Sequence, residues 1–370
     1  MPDKFKGTLT AQAAAEAIAV GWHRARPSDE LDLLPMSDGG DGFGEVMSAL
    51  LDAIPQRVTT CDAAHRTCAA EWWWEARTRT AIIETARVIG LAMLPARRYH
   101  PFDLDTYGLG KVLLAALEKG ARRILVGLGG SATNDGGFGM ARALGWKFRG
   151  AGGEVIARWT DLDAARVVAR SKTLHKIPKI VVAVDVQNRL VGRSGATRVY
   201  GPQKGLGPQD FPLAERCLRR LAKLVRHAKR ADLSLIPGSG AAGGLGFGFA
   251  AFLAGSLEPG FELFAREVGL DRRLRATDLV ITGEGKIDRS TFMGKGAGQV
   301  ARRAHGMSLP CIGFAGAMAS PAGSKHGFTE MHALTDLVSV RKAKSDPGLW
   351  LERLASRAAN QWANHSCCRA

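Results

Sequence analysis

Carboxylate, amide and ammonium side chains recur beside glycines along this chain of 370 residues. The most concentrated case is the stretch VGLGGSATNDGG, residues 126–137, which contains five glycines and follows an apolar, strand-like run. A glycine-rich turn that leads into a helix presents free backbone N–H groups and the positive end of the helix dipole to an anion. The stretch therefore predicts a loop that binds a phosphate or a carboxylate group.

Three other apolar runs end in the same mixture of glycine with Asp, Asn or Glu: SDGGDGFG (37–44), DVQN (185–188) and TGEGKID (282–288). One such end is usually an ordinary turn, in which these residues are favoured for local reasons. Four such strand ends in one chain favour a ligand-binding site, because ligands bind at the carboxyl ends of strands in open α/β sheets. Carboxylates near phosphates need a cation between them, and Mg²⁺ with oxygen ligands fits that need. Lysines beside glycines can meet phosphate oxygens, so the set predicts phosphoryl transfer.

The elements that position these residues alternate between β-branched apolar runs and helical patterns, which predicts parallel α/β units. A helix is predicted from residue 11, capped by Thr8 or Thr10 and ended before Pro27, with a short strand at 31–35. Residues 57–84 have instead the pattern of antiparallel strands with short connections. We interpret this change as the start of an inserted domain. The prediction is two α/β domains, residues 1–62 with 280–370 and residues 63–279.

Composition excludes several classes of protein. No run of about 18 apolar residues predicts a membrane span, and the N-terminus lacks the apolar segment of a signal peptide. The six cysteines form no CxxC pair, which argues against a zinc site and against a secreted disulfide scaffold and favours the cytoplasm. The net charge of +16 suggests nucleic acid, but it is spread thinly and is not interleaved with aromatic residues, so we expect no specific nucleic-acid partner.

The common nucleotide-binding motifs are missing or weak in this sequence. Neither a P-loop nor the HRD and DFG signatures of protein kinases are present. GSGAAG (238–243) matches GxGxxG, but the surrounding glycine-rich apolar stretch is more simply explained by a buried helix that packs closely.

The order of several longer blocks identifies a resemblance to the type-I glycerate kinases from residue 2 to about residue 316. These blocks are DKFKGTLTA, PMSDGGDGFGEV, TYGLGKVL, GGSATNDGGFGMARALG, DVQN, GPQKG, GAAGGLG and LVITGEGKID. The resemblance implies ATP-dependent phosphorylation of D-glycerate with Mg²⁺, with 2-phosphoglycerate as the expected product. It also implies that the discontinuous domain is flavodoxin-like (Rossmann-like) and that the protein is a monomer or homodimer.

The resemblance, together with the glycine-rich loop and the lysines beside glycines, gives the expected site residues. Asp185 is expected to act as the base for the glycerate hydroxyl or as a Mg²⁺ ligand. The expected catalytic residues are Asp185, Lys6 and Asp3. The expected metal ligands are Asp38, Glu284 and Asp288. The expected phosphate- or substrate-binding residues are Gly129, Gly130, Ser131, Asn134, Asp135, Asn188, Lys204, Gly283, Lys286 and Lys295.

The chain departs from the family at two places. Val88 and Ile89 stand where the family has a small Ala-Ser pair, so we expect them to reshape the substrate pocket. Only Met1 precedes Pro2, where the family has a short apolar strand. Without that strand we expect low stability or poor activity, with Asp3 and Lys6 loosely placed.

Three alternatives to a glycerate kinase remain open at this point. They are a kinase for a related small hydroxy acid, a basic nucleic-acid-binding protein, which is disfavoured, and an inactive nucleotide-binding relative.

Overall fold

The computed structural model describes residues 1–170, 177–292, 296–319 and 327–367, with the backbone alone at Ser290 and at residues 363–367. The chain divides into two compact units. Unit 1 consists of Met1–Asp38 with Phe261–Ala370, and unit 2 consists of Gly39–Gly260.

The helices and strands follow one another along both units. The α-helices are α1 (Ala11–Ala25), α2 (Phe43–Leu50), α3 (Ala86–Ile89), α4 (Tyr107–Glu118), α5 (Phe138–Ala143), α6 (Ala196–Lys204), α7 (Phe211–Lys229), α8 (Ala241–Leu253), α9 (Gly260–Glu267), α10 (Leu270–Arg275), α11 (Arg289–Phe292), α12 (Gly296–Gly306), α13 (Val340–Ser345) and α14 (Pro347–Cys367). The strands are β1 (Ile54–Cys61), β2 (Thr67–Glu75), β3 (Thr80–Glu84), β4 (Arg123–Gly127), β5 (Trp146–Arg149), β6 (Val167–Arg170), β7 (Lys179–Val184), β8 (Ser256–Pro259), β9 (Val280–Ile287), β10 (Cys311–Met318) and β11 (Glu330–Ala333).

Unit 2 is built on a six-stranded sheet with the order β1-β2-β3-β4-β7-β8. The first three strands pair antiparallel, which confirms the pattern predicted for residues 57–84, and β3, β4, β7 and β8 pair parallel. Ile82, Leu125 and Val181 are neighbours across the parallel strands and have no exposed surface. Burial on both faces explains why these strands are continuous apolar runs in the sequence.

Unit 1 contains a parallel three-stranded sheet with the order β11-β10-β9. Helix α1 begins, as predicted, at a Thr10 cap, whose hydroxyl accepts from the Ala13 N–H. It packs against α14, and a Cβ atom on Gly21 would lie 2.0 Å from the carbonyl oxygen of Glu352. Glycine at position 21 therefore sets how closely these two helices approach.

The first residues of the chain are tied to β9. Pro2 forms a parallel bridge with Gly283, and the Asp3 N–H donates to the Gly283 carbonyl at 2.8 Å. The Met36 N–H donates in turn to the Pro2 carbonyl at 3.0 Å. The prediction that Asp3 is loosely placed is therefore wrong for its backbone. The predicted strand at 31–35 is also wrong: its residues form no ladder, and Pro35 has no N–H to donate to one.

The boundaries of the two units differ from the predicted domain boundaries. Residues 39–62 group with unit 2 because β1 pairs with β2 over its whole length, and residues 261–279 group with unit 1. The antiparallel strands therefore lie inside unit 2, and the chain enters this unit before them.

Val88 and Ile89 belong to the interior of unit 2. Both have no exposed surface and lie in its main hydrophobic cluster. They would therefore reshape a substrate pocket only through the packing beside it, and that they do so stays a prediction. The Ile89 carbonyl accepts from the Ala132 N–H at 2.8 Å, so this segment supports the glycine-rich loop through its backbone.

Among the helices that the structure describes, none is both long enough and apolar enough to cross a bilayer.

Candidate active site

Two strand ends of unit 2 that were predicted to carry site residues meet at one edge of its sheet. In the parallel register Glu84 lies opposite Gly127, and Gly127 lies opposite Ala183. The loop that follows β4 and the residues that follow β7 therefore leave the sheet side by side. This is the edge at which open α/β sheets bind ligands.

The glycine-rich loop, residues 129–137, begins near solvent and then turns inward. Gly130 is exposed and has a positive φ of 52°, whereas Ser131 is buried. A Cβ atom at Gly129 or Gly130 would lie 3.0 or 2.9 Å from Oδ1 of Asp41. Glycine at these positions thus permits the Asp41 carboxylate to approach the loop backbone.

Asp135 holds the inner half of this loop. Its Oδ2 accepts from the N–H and hydroxyl of Thr106 (3.0 and 2.8 Å) and from the Gly139 N–H (2.9 Å), and its Oδ1 accepts from the Gly137 N–H (3.2 Å). Burial, with the nearby Asp105 carboxylate, raises the pKa of Asp135 to about 6, against the opposing effect of these hydrogen bonds. The carboxylate has no exposed surface. Its bonds all go to the protein's own backbone and to Thr106, so it positions the loop.

Lys204 is the last residue of α6, and its side chain contacts the same loop. Its Nζ donates to Ser131 Oγ at 2.9 Å and to the Thr133 carbonyl at 2.7 Å. Burial lowers the pKa of Lys204 to about 7, and the Asp135 carboxylate opposes this shift.

Asn134 is wholly buried beside this lysine contact. Its Nδ2 donates to Thr197 Oγ1 at 3.0 Å. Among the described residues, neither Asn134 Oδ1 nor Thr133 Oγ1 has a hydrogen-bond partner, although both atoms are buried. Buried polar atoms are nearly always satisfied, so these two point to a ligand or to bound water.

Helix α8 presents glycines to the loop. A Cβ atom on Gly243 would lie 1.9 Å from the Thr133 carbonyl oxygen, and one on Gly248 would lie 2.8 Å from the Gly137 Cα. Gly243 also has a positive φ of 71° and accepts from the Gly136 N–H. The prediction that this stretch lets a buried helix pack closely is confirmed at Gly248. Gly243 lies instead in a left-handed turn at residues 242–244 that interrupts the helix, and the GxGxxG match ends at this turn.

The other predicted site residues at this edge of the unit 2 sheet follow strand β7. Asp185 is exposed directly after the buried Val184. Asn188 is fixed, since its Nδ2 donates to the Ser194 carbonyl (2.8 Å) and its Oδ1 accepts from the Tyr200 hydroxyl (2.6 Å). Burial and the Asp185 carboxylate raise the pKa of Tyr200, which places its phenol within the field of Asp185. Asp185 is therefore accessible to a ligand, and its surroundings are ordered by Asn188 and Tyr200.

The predicted site residues of unit 1 lie on or near β9. The strand continues to Ile287, so Gly283, Glu284 and Lys286 belong to the strand and not to a loop after it. Side chains two residues apart share one face, which places Glu284 and Lys286 together. A Cβ atom at Gly285 would lie 2.9 Å from the Lys6 backbone nitrogen, so this glycine admits the exposed turn that carries Lys6.

Two carboxylates of unit 1 act on a third, Asp3. Burial, followed by the Asp38 carboxylate and more weakly by Glu284, raises the pKa of Asp3 to about 7. The Lys4 N–H donates to Asp3 Oδ1 at 2.7 Å and opposes this shift. Asp3 therefore lies among like charges in a largely buried position.

Among the residues that the structure describes, no three Asp, Glu, His or Cys side chains lie close enough together to hold a metal ion. Asp288 pairs with Lys286 at 3.3 Å. Lys295, predicted to bind phosphate or substrate, lies outside the described residues.

Several residues that complete these arrangements were missed by sequence reasoning. Thr106 could have been found, since it directly precedes the helical pattern of α4, where a capping hydroxyl is favoured. Thr197 and Tyr200 gave no signal, because their partners Asn134 and Asn188 are joined to them only in the fold.

Comparison with known proteins gives a consistent result. A family model described as the glycerate kinase family matches residues 1–363. The glycerate kinase of Halalkalibacterium halodurans is 36% identical over 97% of this chain and 96% of its own length. The glycerate 2-kinase of Escherichia coli K12 is also 36% identical, over 92% of this chain and 89% of its own. A crystal structure of a Salmonella typhimurium LT2 protein assigned as glycerate kinase 2 superposes with a TM-score of 0.86 at 32% identity, covering 99% of this chain and 97% of that one.

Proposed function

Because the chain belongs to the glycerate kinase family, we propose that it transfers the γ-phosphoryl group of ATP to a hydroxyl of D-glycerate. The 2-phosphate is the expected product, as the name of the Escherichia coli relative suggests. The observation that carries the proposal is the sheet edge of unit 2. A loop able to bind an anion and an accessible carboxylate leave adjacent strands there.

Phosphoryl transfer needs positioned groups more than it needs covalent chemistry from the protein. The loop at 129–131 would hold an anionic group of a substrate on its glycine backbone. Asp185 would accept the proton of the attacking hydroxyl, because it is exposed at the end of a rigid buried strand. Asn188, tied to Tyr200, would orient the group that Asp185 activates.

The carboxylates present fit magnesium only in part. Magnesium usually keeps several waters and is bound by one or two carboxylates together with substrate phosphates. Asp38 and Glu284 would be those carboxylates, since both act on Asp3 and neither is fully buried. The ion would neutralise phosphate charge. Asp288 is paired with Lys286, and we leave it out of this set.

The related hydroxy-acid kinase is the second candidate, but no contact favours it. The residues that suggested it, Val88 and Ile89, have no exposed surface and so cannot touch a substrate.

The activity is tested by adding MgATP and a panel of small hydroxy acids, including both glycerate enantiomers, to the purified protein. We expect ADP release to be fastest with D-glycerate, and phosphorus NMR of the product to show the 2-phosphate. A higher kcat/KM for another acid would reassign the substrate.

The role of Asp185 is tested in the same assay. Asp185→Asn should lower kcat by a factor on the order of 10² while leaving the melting temperature unchanged, because the side chain is exposed. Asp161→Asn, at another exposed carboxylate of unit 2, is the matched control and should keep full activity. Normal turnover by Asp185→Asn would remove Asp185 from the mechanism.

A further inference from the structure

Lys204 is a buried lysine for which the described residues form no ion pair. The residue is 6% exposed. An ammonium group has three donors, and two are used, by Ser131 Oγ and the Thr133 carbonyl. Both of these partners are uncharged. None of the ion pairs formed by the described residues includes Lys204.

The charged groups around Lys204 are few. Asp135 is the carboxylate whose field acts on it, but the Asp135 oxygens already accept four hydrogen bonds from Thr106, Gly137 and Gly139. Helix α8 packs against α6 and carries no charged residue. On α7, the Glu215 carboxylate accepts from the Gly192 N–H and from Arg219. On α6 itself, Arg198 lies over the Phe211 ring.

A buried ammonium without an ionic partner is costly, and a protein reduces that cost by releasing the proton. Burial accordingly lowers the pKa of Lys204 to about 7. An anion beside the third donor would reverse this effect, since an opposite charge nearby favours the charged form.

The lysine contact lies close to the solvent-facing start of the loop. Ser131, which accepts from Lys204, directly follows the exposed Gly130. Two residues farther along, Thr133 Oγ1 and Asn134 Oδ1 are buried with no partner among the described residues. The lysine, the serine and these two atoms form a polar cluster that is incomplete without a further group.

We propose that Lys204 and Ser131 bind an anionic oxygen group of a substrate and that Lys204 takes up one proton from solvent as the anion binds. The neutral amine and the incoming anion become an ammonium–anion pair, and no covalent bond other than the new N–H is formed. The inference rests on the proposed function, which supplies two sources of the anion: the carboxylate of the hydroxy acid and a phosphate of the nucleotide.

Titration calorimetry tests the proposal without turnover. D-glycerate alone and MgADP alone are titrated into the whole protein at pH 6 and pH 8, each in two buffers of different ionisation enthalpy. Because burial lowers the Lys204 pKa to about 7, more of the lysine is neutral at pH 8 than at pH 6, so we expect greater proton uptake per anion at pH 8 for the ligand that pairs with Lys204. For the other ligand, wild type and Lys204→Met should take up the same number of protons. The ligand whose uptake depends on Lys204 identifies the source of the anion.

Substitutions at Lys204 test whether this residue takes up the proton. Lys204→Met should weaken binding of that ligand at least tenfold and abolish the uptake. Lys204→Arg, which is charged before binding, should also abolish the uptake but should bind the ligand more tightly than Lys204→Met does. Lys223→Met, at an exposed lysine of α7, is the matched control and should change neither.

Uptake near zero with both ligands at pH 8 overturns the proposal, and so does the failure of both to bind. Uptake that persists in a folded Lys204→Met protein also overturns it. The number of protons that wild type takes up on binding is measured without any variant. The proposal can therefore still be overturned if a variant folds poorly. If wild type shows Lys204-dependent uptake but phosphorylates no hydroxy acid, the proposed function fails and the anion site stands.

Discussion

The glycine-rich loop of unit 2 and strand β9 of unit 1 combine the same residue types, yet the fold uses them differently. In unit 2, Asp135 has no exposed surface and Lys204 is 6% exposed, and both are hydrogen-bonded to the loop. In unit 1, the side chains of Lys286 and Asp288 are 62% and 29% exposed and pair with each other. The same residue types therefore give a pre-organised loop in unit 2 and, at Lys286 and Asp288, a solvent-exposed ion pair in unit 1.

The buried residues of the loop and the exposed ion pair of unit 1 should contribute different amounts to the free energy of unfolding. Exposed ion pairs are worth about 0–1 kcal/mol, because water solvates the separated charges nearly as well. Removing a buried acceptor instead leaves its donors without partners, at about 1–3 kcal/mol each. Substitutions in the two regions should therefore differ in the size of their effect on stability.

The largest effect is expected at Asp135. Asp135→Ala removes the acceptor of four hydrogen bonds in a closed interior, so we expect unfolding free energy to fall by about 3–5 kcal/mol. Asp288→Ala, at the half-exposed carboxylate of unit 1, should cost less than about 1 kcal/mol. Urea unfolding of both variants measures the difference.

Equal losses in the two variants would contradict the comparison. A loss confined to kcat in Asp135→Ala, with stability unchanged, would instead make Asp135 a substrate ligand, as the family resemblance implies.

The contrast also shows how far sequence reasoning reaches. The α/β class, the antiparallel strands of residues 57–84 and the Thr10 cap were predictable, because each depends on local pattern. The end of β9 was not, because Gly283 and Gly285 suggested a loop. These glycines serve close approach instead: a Cβ atom at Gly283 would lie 2.4 Å from the Phe314 carbonyl oxygen.

The candidate site was predictable in its residue types but not in its geometry. The burial that sets the Asp135 and Lys204 pKa values comes from elements distant in sequence, such as α8. Asp135 bonds to Thr106 across 29 residues, and Lys204 bonds to Ser131 across 73. No spacing within a motif encodes such contacts.

An intermediate effect is expected at Gly243. An added Cβ would lie 1.9 Å from the Thr133 carbonyl, which is also an acceptor of Lys204, so the loop must move in Gly243→Ala. Gly153→Ala is a matched control in the same unit, since Gly153 has a similar positive φ of 85° but no atom within 4 Å of the added Cβ. Both variants carry the cost of the left-handed backbone, about 1–2 kcal/mol.

The clash should add about 2 kcal/mol to the destabilisation of Gly243→Ala relative to Gly153→Ala. It should also raise KM for the ligand that Lys204 binds, which Gly153→Ala should leave unchanged. Equal melting temperatures for the two variants would show that the loop yields easily and is not pre-organised.

The smallest effect is a dependence of stability on pH that only the buried lysine should produce. The Lys204 pKa falls from its usual 10.5 to about 7 in the folded protein. Between these values the unfolded chain binds more protons at this residue, so its contribution to stability grows as pH rises and is lost as pH falls toward 7. The unfolding free energy of wild type relative to Lys204→Met should therefore rise between pH 7.5 and 8.5, by at most about 1.4 kcal/mol for one proton.

Lys286→Met, at the exposed lysine of unit 1, supplies the control, and wild type relative to that variant should stay flat over the same range. Chemical unfolding at the two pH values measures both differences. A flat difference for Lys204→Met would mean that Lys204 stays charged in the folded protein and that water reaches it, which would remove the contrast between the two regions at this residue.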